Sequence, residues 1–161
     1  IMAKRLMETD TELVDALKRG ISDDIYGADG RLDRKRLASM VFSDERLRRK
    51  VESLVHPAVI KDYQQWTERY ADRKFTAFES AILFESGMAS LFDVTICVCA
   101  PTDMRIQRCM MRDGETQQNI EKRIAAQMPQ EKLAGLCDYT IENDGKTNLQ
   151  DRLVEILESV K

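Results

Sequence analysis

Three arginines, Arg105, Arg108 and Arg112, stand at i, i+3 and i+7. On a helix that spacing puts them on one face, while Ile106, Cys109 and Met110 occupy a neighbouring face. Such a helix can anchor underneath and present guanidinium forks above, and those forks match phosphate oxygens in bidentate fashion. The plain alternative is a solvated charged face. Arg123 and Gln127 follow at i and i+4 on the next helix, with Ile120, Ile124 and Met128 as its apolar side and Pro129 ending it. Arg123 reads either as a clamp on a transferring phosphoryl group or as half of an ion pair with a nearby carboxylate.

Other candidates are more scattered. Glu79 ends the apolar run Phe75-Thr76-Ala77-Phe78. If that run is a parallel strand, Glu79 lies at its carboxyl end, where sites in open α/β sheets form. A helix cap is the alternative. His56 is the only histidine and directly precedes Pro57, which places it at the start of a helix; a structural hydrogen bond there is the simpler role. Asn143-Asp144-Gly145 is a turn by composition, whose backbone could also meet a nucleotide base. No glycine-rich phosphate loop occurs in the chain.

The elements that would position these residues divide the chain in two. Up to about residue 73 every pattern is helical. Leu13, Leu17 and Ile21 form a stripe; Asp29-Gly30 marks a turn; Asp33 and Ser43 are caps; Pro57 fits the first turn of a long helix with Val59, Tyr63, Trp66 and Tyr70 on one side. From Phe75 strands alternate with helices: 75–78, then Val94 to Ala100, then Tyr139 to Ile141. Near-continuous apolar runs predict strands buried on both faces of a parallel sheet, and hence an α/β fold. Three strands make a thin sheet. Together with a chain that opens Ile1-Met2-Ala3-Lys4 in the middle of a helical pattern, this leads to the expectation of a strand–loop–helix–strand unit before Ile1.

Composition narrows the class. The 161 residues are 33% charged and 43% hydrophobic, with a net charge of −3, which argues against general binding to a nucleic-acid backbone. No apolar run reaches the length of a membrane span. Four cysteines, 97, 99, 109 and 137, form no CxxC pair, and with one histidine they make zinc an improbable ligand. They read as buried, reduced thiols of a cytoplasmic protein, with Cys97 and Cys99 on one strand face.

Taken together these residues resemble the dephospho-CoA kinases, a P-loop family of the nucleoside-monophosphate-kinase-like group. The likeness runs along essentially the whole chain. Ala3-Lys4 resembles the Ala-Arg that follows the family's aspartate pair. Asp29-Gly30-Arg31-Leu32-Asp33-Arg34 with Val41-Phe42, the pair His56-Pro57, and Glu79 to Glu85 resemble successive family motifs. Arg123-Ile124-Ala125-Ala126-Gln127-Met128 resembles the lid motif, and Asn143-Asp144-Gly145 the loop beside adenine. Each motif is weak alone; six in order are specific.

The resemblance implies a three-layer α/β/α parallel sheet of five strands, three of them visible. It implies a helical CoA-binding domain over residues 1–73, and the rest of the kinase core over 74–161 with a helical lid near 103–129. It implies ATP-dependent phosphorylation of the ribose 3′-hydroxyl of dephospho-CoA, with Mg²⁺ accompanying ATP, in a monomer or small homo-oligomer. By the same likeness Arg123 and Glu79 are catalytic; Arg108, Arg112, Asn143, Asp144 and Gly145 bind ATP; and Lys4, Arg34, His56 and Gln127 lie on the CoA side. Glu79 stands where the family has Asp, and Ala81 where it has Pro. The phosphate loop and the catalytic-base aspartate are expected before Ile1. The rival readings are another lid-bearing P-loop kinase of a small metabolite, and a truncated homologue that binds CoA-like ligands without turnover.

Overall fold

Side-chain caps set most helix boundaries of the computed structural model, which describes residues 2–160. The chain folds as two compact units, Ile1–Phe78 and Glu79–Lys161. The first unit holds α1 (Met2–Thr9), α2 (Thr11–Gly20), α3 (Arg34–Ser43) and α4 (Glu45–Glu68). The Asp10 carboxylate accepts from the Leu13 amide to start α2, and Asp33 accepts from the Arg36 amide to start α3. The Asp29-Gly30 turn forms as expected: Gly30 has φ +76°, and Gly27 and Arg31 close the loop by a backbone hydrogen bond. α4 packs against α1, α2 and α3. Leu13, Leu17, Leu37, Val55, Val59 and Tyr63 are buried, with Leu17 and Ile25 fully enclosed.

Two expectations for this unit are corrected. The cap of α4 is Asp44, whose carboxylate accepts from the Arg46 and Leu47 amides; Ser43 instead closes α3, its hydroxyl bonded back to the Ser39 carbonyl. Pro57 does not begin a helix but lies inside α4, and His56 is therefore mid-helix. Proline costs a helix one hydrogen bond. The helix continues because Val55, Val59 and Tyr63, on both sides of the ring, are buried together.

The second unit holds β1 (Ile96–Cys99), α5 (Thr102–Asp113), α6 (Gln117–Ala125), α7 (Gln130–Ala134), β2 (Tyr139–Glu142) and α8 (Leu149–Ser159). β1 and β2 pair in parallel, Ile96 opposite Tyr139 and Cys99 opposite Glu142. Among the described residues this is the whole sheet. The run 75–78 is not a strand: it joins no ladder among the described residues, and Phe78 sets its ring edge-on to Tyr63, at 5.0 Å between centroids, within the helical unit.

β1 is not buried on both faces either. Cys97 and Cys99 point inward with their sulfurs 3.5 Å apart, while Val98 is 61% exposed. Burial, with Cys99 as hydrogen-bonded neighbour, pushes the Cys97 thiol up to about 12. In α8 Ile156 is buried, while Leu149 and Leu153 stay exposed. Among the described residues no helix is long and apolar enough to cross a membrane.

Candidate active site

The carboxyl ends of two parallel strands are where an α/β sheet leaves its backbone open to a ligand. Here β1 ends at Cys99 and β2 at Glu142, side by side, and the Asn143 amide extends the ladder by donating to the Cys99 carbonyl at 2.6 Å. α5 rises directly from this edge. Its first turn is fastened by the Arg105 amide on the Pro101 carbonyl, and Ile106 buries its apolar face. Arg105, Arg108 and Arg112 therefore project along one side, over a cleft of about 410 Å³ that also takes in Asn143, Arg123 of α6, and Gln127, which lies beyond the end of that helix rather than on it as expected.

Each guanidinium has a distinct tie. Arg108 donates from Nη1 to the Asn143 carbonyl at 2.9 Å, joining α5 to the loop after β2. Arg105 donates to Gln130 Oε1 at 3.4 Å, and the same oxygen accepts from the Ala100 amide at 3.0 Å. Arg112 lies side-on to Asp113, with Nε–Oδ1 2.7 Å and Nη2–Oδ2 3.0 Å. Arg123 donates from Nη2 to the same Oδ2 at 2.7 Å. The ion-pair alternative for Arg123 is thus present in the structure. Two guanidiniums hold the Asp113 carboxyl well below the usual carboxylate range, and Asp113 in turn raises Arg112.

The loop after β2 behaves differently from its three-residue motif. Asp144 turns back on its own backbone, Oδ1 accepting from the Lys146 and Thr147 amides at 2.9 Å each, and those bonds lower its carboxyl. Gly145 takes φ +81°, the conformation that lets the chain reverse there. Of the three, Asn143 alone lines the cleft. Glu79 is exposed and outside the cleft lining. Its electrostatic influence reaches Arg112, but the strand that was to present it is absent.

In the helical unit a second pocket, of about 270 Å³, brings Lys4, Arg34 and His56 together, with Leu32, Leu37 and Val55 among its apolar walls. Arg34 Nη2 donates to Glu8 Oε1 at 2.9 Å. Gln127, expected on the CoA side, lines the arginine cleft.

The model of the dephospho-CoA kinase family matches residues 1–149. The chain belongs to that family. A dephospho-CoA kinase of Chlorobium luteolum is 37% identical over 166 residues, covering 97% of this chain and 76% of the relative. One from Porphyromonas gingivalis is 37% identical, covering 99% of this chain and 78% of the relative. A solved structure from Thermus thermophilus superimposes with TM-score 0.77 at 29% identity, over 99% of this chain and 81% of the other. A dephospho-CoA kinase structure from Campylobacter jejuni, at 20% identity, shares the fold with TM-score 0.63, over 98% of this chain and 80% of the other.

Within this family member, sequence reading missed the groups that hold the cations. Nothing in the spacing marks Asp113 or Gln130 as their partners. Glu85, the last residue of the Glu79–Glu85 motif, accepts from the Met128 amide at 3.3 Å, a contact the motif alone did not indicate. As for Mg²⁺, no group of three or more His, Cys, Asp or Glu among the described residues is placed to hold a metal ion. The described side chains therefore do not fit a protein-built metal cage.

Proposed function

We infer that this protein phosphorylates the ribose 3′-hydroxyl of dephospho-CoA with ATP, giving CoA and ADP, the last step of CoA biosynthesis. The observation that carries the reading, for a member of this family, is the cleft at the carboxyl ends of β1 and β2, into which four arginines converge. A transferring phosphoryl group spreads charge over its oxygens, so catalysis is largely positioning and charge neutralisation. The N–H edges of Arg108, Arg112 and Arg123 supply that charge, with Asn143 beside the nucleotide. In the step itself the 3′-oxygen bonds to the γ-phosphorus, the bond from that phosphorus to the bridging oxygen breaks, ADP leaves, and the hydroxyl proton is released to water.

The acceptor belongs, on this reading, to the helical unit. Its pocket combines apolar walls with Lys4, Arg34 and His56. Dephospho-CoA has the matching composition, a long apolar-amide arm and a diphosphate. The likeness to dephospho-CoA kinases further supports a lid over the α5–α6 region and a larger parallel sheet. Mg²⁺ enters with ATP, carried by phosphate oxygens and water, which is its common habit in nucleotide sites. Four free cysteines support a reducing, cytoplasmic setting.

The test is direct. Purified enzyme, ATP and dephospho-CoA should yield CoA with the new phosphate on the ribose 3′-position, read by mass spectrometry and phosphorus NMR. Turnover of another small hydroxylated metabolite, with none of dephospho-CoA, would replace this reading by the rival kinase. Dephospho-CoA binding without any transfer would replace it by the non-catalytic binder.

A further inference from the structure

We propose that Asp113 is a positioning residue for phosphoryl transfer: its single carboxylate holds the guanidiniums of Arg112 and Arg123, from two helices, together at the cleft wall. The inference rests on the phosphate-binding role given above to the arginines. Asp113 is the last residue of α5, and Gly114 turns the chain away in the left-handed conformation. Thr116 caps α6, and Arg123 lies in the last turn of that helix. The Asp113 bonds therefore tie the C-terminal end of α5 to the C-terminal turn of α6, across a connection of three residues.

The donor geometry leaves the cations usable. Arg112 meets Asp113 through Nε and Nη2, and its Nη1 makes no hydrogen bond among the described residues. Arg123 engages Asp113 through Nη2 alone. A guanidinium has five N–H donors, so both keep N–H groups for a second anion. Both arginines line the cleft, whereas Asp113 does not. Without the carboxylate, two like charges on mobile side chains would be left to separate. With it, an incoming phosphate chain meets them already oriented. Exposed ion pairs contribute little to stability, and these arginine side chains are 71% and 52% exposed. The effect should therefore appear in turnover rather than in melting.

The experiment is a double-mutant cycle on the full enzyme, with kcat, both KM values and melting temperature measured. Asp113→Ala and Asp113→Asn should each lower kcat on the order of 10-fold or more, as misplaced reacting groups do. KM for dephospho-CoA and the melting temperature should hardly move. Asp113→Glu should restore part of the rate. Because Asp113 acts through Arg123 as well as Arg112, the double variant Asp113→Ala/Arg123→Ala should lose less than the product of the two single losses. Multiplicative losses would overturn the proposal. So would full activity of Asp113→Asn, tighter ATP binding once the carboxylate is gone, or a fall in melting temperature that accounts for the lost rate. If Arg123→Ala is itself fully active, the arginine assignment fails together with this inference. If only the Asp113 variants are active, this inference fails alone.

Discussion

Arg123 is the residue at which two readings of the sequence meet, since it both lines the cleft and pairs with Asp113. If it neutralises charge in the transition state, Arg123→Ala should reduce kcat on the order of 10²–10³, with little change in KM for dephospho-CoA. Arg123→Lys should recover only part, because an ammonium cannot fork across two oxygens. Steady-state kinetics of the two variants checks this, and unchanged kcat in Arg123→Ala would leave the residue as an ion-pair partner only. At this scale the arginine face was legible, because helical periodicity depends on spacing alone. Asp113 was not. Neighbours in a helix do not face each other, and its reach to Arg112 and Arg123 depends on how the chain turns at Gly114 after α5, a side-chain direction that spacing does not reveal.

Caps and turns were legible where one residue does the work, as at Asp33 and at Asp29-Gly30. They failed where two polar residues compete. Ser43 and Asp44 adjoin, and only the backbone shows that Asp44 has the extended φ and ψ of a cap. Asp44→Ala should therefore destabilise the helical unit by about 1 kcal/mol, while Ser43→Ala stays close to neutral; urea unfolding followed by circular dichroism separates them. Gly114 supplies a second case. It has φ +66°, and a Cβ there would meet no atom within 4 Å, so the cost of a side chain is purely that of the backbone. Gly114→Ala should cost roughly 1–2 kcal/mol, read in the same unfolding experiment. The strand expected over 75–78 was misread because an apolar run does not say what it packs against; Phe78 packs on Tyr63.

At the scale of the molecule, each unit holds one pocket, and the proposed function gives one substrate to each. His56→Ala, in the apolar pocket, should raise KM for dephospho-CoA and leave KM for ATP nearly unchanged. Arg108→Ala, in the arginine cleft, should do the reverse. Initial-rate kinetics with each substrate varied checks both, and a shared effect on both KM values would argue against the division. Acid stability follows a separate route. Asp138 accepts from the Thr95 hydroxyl at 2.6 Å and the Thr95 amide at 2.8 Å, and these bonds lower its carboxyl. A carboxyl lowered in the folded state stabilises above its unfolded value, about 3.9, and that contribution fades as pH falls through the folded value. Asp138→Asn should therefore melt below the native protein at pH 7, with the gap narrowing below about pH 4, as thermal scans across pH would record.

Pro57, set inside the 24-residue α4, has one more consequence. A proline has no amide proton, so the carbonyl four residues earlier, that of Ser53, cannot receive the usual helical bond. The helix is continuous in shape but interrupted in its ladder. Openings that begin at either end have a natural place to stop. In native-state hydrogen exchange, amides on the Glu45 side of this gap and those on the Glu68 side should fall into two groups with separate protection levels. Pro57→Ala, which restores the missing bond, should merge them into one.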